Sequence, residues 1–177
     1  MHLKEKTLTS SVVYEGCIFT ITHDTAELEN GTSAQRDVLH HHGGVCVIPI
    51  TDSNEVYLVK QFRYPFGEVT LEVPAGKLEK GEDHAECGRR ELLEETGLTC
   101  TEYTYLGEIY PLPAYSTEII HTYLARGLQY SAQSLDDDEF LDVVKIPLED
   151  AVDMVLDGRI KDSKTQIVIL KAALLMK

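Results

Sequence analysis

The chain has 177 residues, of which 43% are hydrophobic and 26% are charged, as in an ordinary globular protein. Its formal net charge of −14, from 30 acidic and 16 basic side chains, argues against a nucleic-acid partner and an anionic membrane, which both attract basic surfaces. The four cysteines form no Cys-x-x-Cys pair and no segment resembles a leader or a membrane span, so we expect a cytoplasmic protein with reduced thiols.

The first forty residues carry the pattern of a small antiparallel β segment. Residues 10–28 are rich in β-branched and aromatic side chains, and Asn30-Gly31 is typical of the turn between paired strands. We therefore divide the chain into an N-terminal β segment, residues 1–40, and a second domain, residues 41–177. Because so small a piece cannot bury its own apolar side chains, we expect it to pack against another surface.

The rest of the chain alternates strand and helix patterns. Strands are predicted over residues 36–51 (with a break at Gly43-Gly44), 55–65, 69–73, 103–111, 116–128 and 141–148. Helices are predicted over residues 83–96, 148–158 and 163–176, with Gly97 as the C-terminal cap of the first. The last helix is predicted to be amphipathic, with Ile167, Leu170 and Leu174 on one face. These elements predict an α/β or α+β fold with a mixed sheet.

Residues 88–98 contain carboxylates that should repel one another. On a helix Glu91, Glu94 and Glu95 project from one face, and like charges at this spacing are mildly destabilising. Glu82 precedes them by about two and a half turns and could approach from the start of the helix. Mg²⁺ or Mn²⁺ would offset the repulsion and keep positions open for phosphate and water. The other interpretation is a solvated acidic stripe balanced by the two neighbouring arginines.

The spacing of these residues resembles the complete Nudix box, a pattern of 23 residues. Its defining positions are present as Gly76, Glu82, Arg90, Glu91, Leu92, Glu94, Glu95, Gly97 and Leu98. The resemblance implies a loop–helix–loop on an α/β/α sandwich with a mixed sheet, which uses a divalent metal to hydrolyse a nucleoside diphosphate linked to another group. It also implies that Arg90 orients the acids by salt bridging and that Gly76 and Gly97 permit turns.

Segments outside the box are similar to the ADP-ribose pyrophosphatase branch of that family, from about Arg36 to the last helix. They are VKQFRYP before the box, LEVPAGKLEKGED leading into it, PLPAYSTE after it and DDDEFLDVVKIPLEDA farther along the chain. The metal ligands that this resemblance implies are the Ala75 carbonyl, Glu91, Glu94, Glu95 and Glu139. Glu94 and Glu139 are the implied catalytic acids, and Arg36 and Arg63 the implied substrate contacts.

Two segments depart from the pattern of that branch. Residues 112–117 are Leu-Pro-Ala-Tyr-Ser-Thr where Ser-Pro-Gly-Phe-Ser and an acid are usual, which leaves the detail of substrate selection open. Gly88 stands in the helix where alanine is usual and should cost about 1 kcal/mol of helix stability.

His40 and His42 could share one face of a strand, but we interpret them as strand-end histidines and not as a zinc site.

The resemblance implies a Mg²⁺-dependent enzyme, with Mn²⁺ as the alternative ion, that cleaves ADP-ribose to AMP and ribose 5-phosphate. Two alternatives stay open: a hydrolase of another nucleotide sugar such as GDP-mannose, and a non-catalytic Nudix domain that senses ADP-ribose. In that branch the N-terminal sheet packs across a two-fold axis, so we expect a homodimer in which Phe19 or Arg36 serves the partner's site. The sequence has no tryptophan, so Phe19, Tyr14 or Tyr64 would have to stack the adenine.

Overall fold

The computed structural model describes residues 2–135 and 140–176. The chain divides into two compact units, one of Met1–Gly43 with Tyr110–Ile119 and the other of Gly44–Ile109 with Ile120–Lys177. Throughout the described ranges, no helix is both long and apolar enough to cross a membrane.

The N-terminal unit contains an antiparallel sheet of three strands in the order β1-β2-β3. The strands are β1 (Lys6–Glu15), β2 (Phe19–Glu27) and β3 (Ser33–His41). The turn between β2 and β3 contains Gly31 at a positive φ of 80°, which glycine adopts without strain, and the predicted hairpin is confirmed. Every residue of β1 is exposed, so this strand leaves apolar side chains in contact with solvent.

The second unit contains two sheets. Their strands are β4 (Gly44–Pro49), β5 (Glu55–Arg63), β6 (Glu68–Glu72), β7 (Ala75–Lys77), β8 (Leu98–Ile109), β9 (Ile120–Tyr130) and β10 (Leu141–Pro147). One sheet has the order β7-β4-β9-β8 and is mixed, because β4 and β9 run parallel while the other neighbours run antiparallel. The other sheet, β10-β5-β6, is antiparallel.

Strand β4 shows how the helices α1 (His84–Thr96), α2 (Leu148–Leu156) and α3 (Ser163–Leu175) are layered. Side chains alternate between the two faces of a strand. Cys46 and Ile48 belong to the core cluster that includes α2 and α3, whereas Val45 and Val47 belong to the cluster that includes α1. The helices therefore lie on opposite faces of the mixed sheet, and the predicted α/β/α sandwich is confirmed.

Helix α1 begins and ends where its local signals predict. Asp83 caps the N-terminus by accepting two backbone hydrogen bonds from the first turn, and Gly97 ends the helix at a φ of 69°. Gly88, inside the helix, faces the sheet, where a Cβ would overlap the Tyr103 hydroxyl and lie 2.9 Å from Val45 Cγ2. The glycine therefore permits a close approach of α1 to the sheet, which explains its presence despite its low helix propensity.

The buried face of α3 is not the face that carries Ile167, Leu170 and Leu174. Its buried residues are Thr165, Val168, Ile169 and Ala172. Leu174 is 68% exposed, while Ile167 and Leu170 are only partly buried. Four consecutive apolar residues in α3 leave the rotation of the helix undetermined by periodicity alone. Thr165 turns inward because its Oγ1 accepts a hydrogen bond from Val73 N at 2.9 Å.

Candidate active site

Arg90 joins three of the predicted acids. Its Nε donates to Glu82 Oε1 at 3.0 Å, and its Nη1 donates to Glu91 Oε1 at 2.8 Å and Glu94 Oε2 at 2.9 Å. The hydrogen bonds from Arg90 hold the pKa of Glu82 at about 2, so this carboxylate stays ionised at neutral pH. Three carboxylates and one guanidinium leave a formal charge of −2, which favours a divalent cation nearby.

Glu91 and Glu95 are the buried acids of α1, at 8% and 2% exposure. Glu95 Oε2 accepts a hydrogen bond from Ala75 N at 3.1 Å, which ties α1 to β7. Ionised carboxylates are almost never buried unless cations, hydrogen bonds or a metal offset the lost hydration. Glu91 and Glu95 are therefore the box acids with the least access to solvent, and they lie where β7 meets α1.

Gly76 makes room for Glu91 and does not form a turn. It lies within β7 and its φ is not positive, so the expectation that it permits a turn is wrong. A Cβ at residue 76 would lie 2.6 Å from Glu91 Cγ and closer still to the carboxyl group. Gly97, by contrast, adopts the left-handed conformation at the end of α1, as the sequence predicts.

The oxygen donors of this group suit a hard divalent cation such as Mg²⁺ or Mn²⁺. Within residues 2–135 and 140–176, no three His, Cys, Asp or Glu side chains converge closely enough to hold an ion. One reason is Arg90, whose Nη1 bridges Glu91 and Glu94, so that an ion would compete with the guanidinium for their oxygens. The predicted ligand Glu139 lies outside the described residues, as do residues 136–138.

Arg63, at the end of β5, lies beside a buried carboxylate. Its Nε and Nη2 donate to Glu72 Oε1 and Oε2, each at 2.6 Å. Glu72 also accepts hydrogen bonds from Lys164 Nζ and Thr70 Oγ1. Burial would raise the pKa of Glu72, but the hydrogen bonds from Arg63 and the charge of Lys164 outweigh it and hold the pKa at about 2. The Arg63 side chain remains 38% exposed, so it can also meet an anion from solution.

Sequence reasoning did not predict Glu72 and Lys164. The available signal was a glutamate at the end of a short apolar strand, since an acid in that position needs a partner once it is buried. The partners could not be identified from the sequence, because Lys164 is 92 positions from Glu72 and Arg63 pairs with it only through the register of β5 and β6.

Arg36 belongs to the N-terminal unit. Its Nε and Nη2 donate to the two carboxylate oxygens of Glu5 at 3.0 and 2.7 Å, and its side chain is 41% exposed. In the same unit Tyr14 and Phe19 contact each other, with ring centroids 5.7 Å apart. Tyr64, in the second unit, is 88% exposed. All three aromatic candidates for adenine stacking thus retain ring surface that a base could cover.

His40 and His41 have ordinary partners within the N-terminal unit, and His42 is exposed. His40 Nε2 lies 3.0 Å from Thr22 Oγ1, and His41 Nδ1 accepts from Gly43 N at 3.0 Å. His41 Nδ1 also lies 3.7 Å from Glu118 Oε1. These contacts are those of strand-end histidines, the interpretation that the sequence favoured.

A model of the NUDIX domain matches residues 40–167. The chain belongs to the Nudix family. The matched range of this Nudix protein contains the whole box, which runs from Gly76 in β7 through the following loop and α1 to Leu98, the first residue of β8. The loop–helix–loop that the resemblance implied is therefore the element that gathers Glu82, Glu91 and Glu94 around Arg90.

Relatives of this Nudix protein have several names. The methanol dehydrogenase activator of Bacillus methanolicus is 40% identical over 94% of this chain and 91% of its own length. ADP-ribose pyrophosphatase of Bacillus subtilis (strain 168) is 38% identical over the same shares. GDP-mannose pyrophosphatase of Yersinia enterocolitica is 37% identical over 82% of this chain and 81% of its own. A crystal structure of an ADP compounds hydrolase has the same fold, with a TM-score of 0.84, 22% identity and 98% and 96% coverage.

Proposed function

We propose that the protein is a divalent-metal-dependent pyrophosphohydrolase that cleaves ADP-ribose to AMP and ribose 5-phosphate. The observation that carries the proposal is the group of box acids around Arg90, with Glu91 packed against Gly76. The 38% identity to an ADP-ribose pyrophosphatase along most of both chains supports the substrate. The free thiols support a cytoplasmic location, and the net charge of −14 supports an enzyme without a nucleic-acid or membrane partner. The small nucleoside diphosphate derivative on which it would act is an anion, so the bound cation and Arg63 would have to attract it against that charge.

The residues proposed to hold Mg²⁺, or Mn²⁺ in its place, are Ala75 through its carbonyl, Glu91, Glu94, Glu95 and Glu139. When bound, such an ion neutralises phosphate charge and lowers the pKa of coordinated water. Arg90 orients the neighbouring carboxylates through its hydrogen bonds, and Arg63 presents positive charge to the phosphates. Glu139 or Glu94 accepts the proton of the attacking water, a role that needs a carboxylate within hydrogen-bond reach of that water.

A homodimer is part of this proposal. Val12, Val13 and Tyr14 on β1 are 61%, 62% and 52% exposed, a run of apolar surface that a second subunit could cover. Residues 1–40 would then be a dimerisation segment and residues 41–177 the hydrolase domain. Phe19 or Arg36 would reach the partner's substrate. A closed two-fold pair is also the commonest assembly of soluble proteins.

Two alternatives have specific support. The 37% identity to a GDP-mannose pyrophosphatase supports a hydrolase of another nucleotide sugar. The 40% identity to a methanol dehydrogenase activator supports a protein that acts on another enzyme, and a domain that senses ADP-ribose without cleaving it is one form of that function. The first alternative uses the same box acids, whereas the second does not need them for catalysis.

Product analysis distinguishes these functions. Purified protein is incubated with Mg²⁺ and either ADP-ribose or GDP-mannose, with Glu95→Gln as the matched inactive variant, and the products are separated by chromatography. AMP and ribose 5-phosphate from the wild type alone are expected. Products from GDP-mannose only would favour the other nucleotide sugar. Tight ADP-ribose binding without products would favour the sensor.

A further inference from the structure

Glu72 is a buried carboxylate outside the box, at the last position of β6 and 2% exposed. Two cations contact it, Arg63 and Lys164, and Thr70 Oγ1 donates to it at 2.6 Å. Buried ion pairs stabilise a fold no better than apolar residues of similar size, because the charges lose their hydration. Stability alone therefore does not account for a carboxylate at this position.

The Glu72 carboxylate fixes the orientation of the Arg63 guanidinium. In the β5–β6 hairpin Arg63 lies opposite Glu68, and Val59 lies opposite Glu72, so the Arg63 side chain runs back along the strand to reach its partner. The contact is side-on, through Nε and Nη2, and two parallel hydrogen bonds hold the guanidinium plane. In the described part of the chain the guanidinium makes no other hydrogen bond, which leaves three of its five N–H donors for a ligand.

Lys164 prevents Glu72 from neutralising Arg63 completely. Lys164 is 12% exposed and donates both to Glu72 and to Asp162, the latter at 3.0 Å. Two cations and two carboxylates make the group neutral as a whole, with the charge of Glu72 shared between Arg63 and Lys164. Of these four side chains, Arg63 is the most exposed. An anion that approaches from solution therefore meets the positive member of the group.

One short segment contacts both Arg63 and the acids of α1. Glu72 and Ala75 are three residues apart, and Ala75 N donates to Glu95 Oε2 at 3.1 Å. Between them, the backbone N–H of Val73 donates to α3. The segment of residues 72–75 therefore holds the partner of Arg63 at one end and a partner of Glu95 at the other.

We propose that Glu72 is a positioning residue, which directs the free donors of Arg63 toward the phosphates of a nucleoside diphosphate while Lys164 supplies the compensating charge. The inference rests on the proposed function, because the choice of a nucleoside diphosphate as the ligand comes from it. A Glu72 that served only to hold α3 against β6 would affect stability, but its effect on ligand affinity would not depend on Arg63.

A double-mutant cycle separates the two roles. Full-length wild type, Glu72→Gln, Arg63→Ala and the double variant are compared in kcat/KM for ADP-ribose with Mg²⁺, and in ADP-ribose binding by calorimetry without metal. Each single variant should lose on the order of 10- to 100-fold in affinity, the range for a hydrogen bond to a charged group. The double variant should lose no more than Arg63→Ala alone. Additive losses would overturn the proposal.

Two further variants distinguish a loss of affinity caused by Arg63 from one caused by a folding defect. Glu68→Gln is the matched control, because Glu68 lies opposite Arg63 on the same hairpin but pairs with Lys161. It should change affinity by less than about twofold, as expected for an exposed ion pair. Glu72→Asp retains the charge that Lys164 needs but draws the carboxylate away from Arg63. Glu72→Asp should raise the Kd and the KM more than it lowers kcat. A Kd and a KM that both equal the wild-type values would overturn the proposal.

The binding arm also separates this inference from the proposed function. A wild type that binds ADP-ribose without cleaving it would refute the hydrolase, yet the affinity cycle would still decide the role of Glu72. Cleavage of ADP-ribose with additive losses in the cycle would retain the hydrolase and refute the positioning role. Binding of neither ADP-ribose nor GDP-mannose would refute both.

Discussion

Gly76 and Glu91 lie against each other where β7 meets α1, and their contact leaves no space for a side chain at residue 76. A Cβ there would lie 2.6 Å from Glu91 Cγ. Glu91 is 8% exposed and accepts a hydrogen bond from Arg90, so it cannot move aside without breaking this contact. The first residue of the Nudix box therefore determines where one of its acids lies.

Gly76→Ala should lower activity by displacing Glu91. We expect kcat to fall about 100-fold, or about 3 kcal/mol of barrier, and the Mg²⁺ concentration for half-maximal activity to rise. Steady-state kinetics across a Mg²⁺ titration measures both. Gly81→Ala, in the loop that follows β7, is the control for backbone strain, because its Cβ would meet no atom within 4 Å while its φ of 83° is strained for alanine. Equal defects in the two variants would mean that loop strain, and not the position of Glu91, limits activity.

Removing the charge of a buried helix acid should abolish most turnover. Glu91→Gln and Glu95→Gln keep the side-chain shape, and each should lower kcat about a thousandfold, or ~4 kcal/mol. Glu86→Gln, on an exposed position of the same helix, should leave kcat unchanged. Thermal unfolding would confirm that the variants fold. Turnover within tenfold of wild type in both would contradict a metal-binding role for these acids.

The box helix could be predicted from the sequence because its signals are local. Asp83 and Gly97 bound α1 within one stretch of chain, and the acids on one face follow from helical spacing. The buried face of α3 could not be predicted, because consecutive apolar residues there allow several rotations of the helix, and packing buries Thr165 and Val168. A hydroxyl is buried there because it accepts the hydrogen bond from Val73 N, a contact that no periodicity reveals.

The pair of Arg63 and Glu72 could not be predicted for a different reason. Both residues stand in segments that resemble the family, but their contact depends on the register of β5 with β6. Register follows from the turn geometry and from which face of the strands is buried, and neither is known before the fold is known. Sequence therefore identified the charged residues of the site better than it identified the partners that orient them.

Gly88→Ala should destabilise the protein although alanine favours helices. The helix would gain about 1 kcal/mol, but overpacking against the Tyr103 hydroxyl and Val45 typically costs about 1–3 kcal/mol. Tyr103→Phe removes a buried hydroxyl that lacks a hydrogen-bond partner among the described residues, so it should be neutral or stabilising. Urea unfolding should show that Tyr103→Phe partly rescues Gly88→Ala. Simple additivity of the two changes would contradict this packing account.

Stability should fall in acid partly through Glu72. Its folded pKa of about 2 lies below the ordinary value of 4.5, so the unfolded chain binds more protons between those two values. The contribution of Glu72 is therefore complete above pH 4.5 and is lost as the pH falls toward 2. Urea unfolding at pH 7, 4.5 and 3 tests this against Glu72→Gln, which should be less stable at pH 7 but lose less between pH 4.5 and 3. Equal losses in both proteins would contradict the assignment.

The exposed apolar residues of β1 lead to the prediction about assembly. Val12 and Val13 are 61% and 62% exposed, and a bulge between residues 12 and 14 disturbs the pairing of this strand with β2. A sheet of this size with apolar side chains in water is marginal unless another surface covers it. We expect a second copy of the chain to provide that surface, since a two-fold interface needs no other protein.

Light scattering at micromolar concentration should therefore give about twice the chain mass. Val13→Asp should shift the protein toward the monomer, because a buried carboxylate without a partner opposes association. Leu174→Asp, on an α3 residue that is 68% exposed, is the matched control and should remain dimeric. Deletion of residues 1–35 should remove both the dimer and the hydrolysis of ADP-ribose, since Phe19 is proposed to serve the partner's site. A full-length monomer with full activity would contradict the dimer and the proposed role of Phe19 in the partner's site.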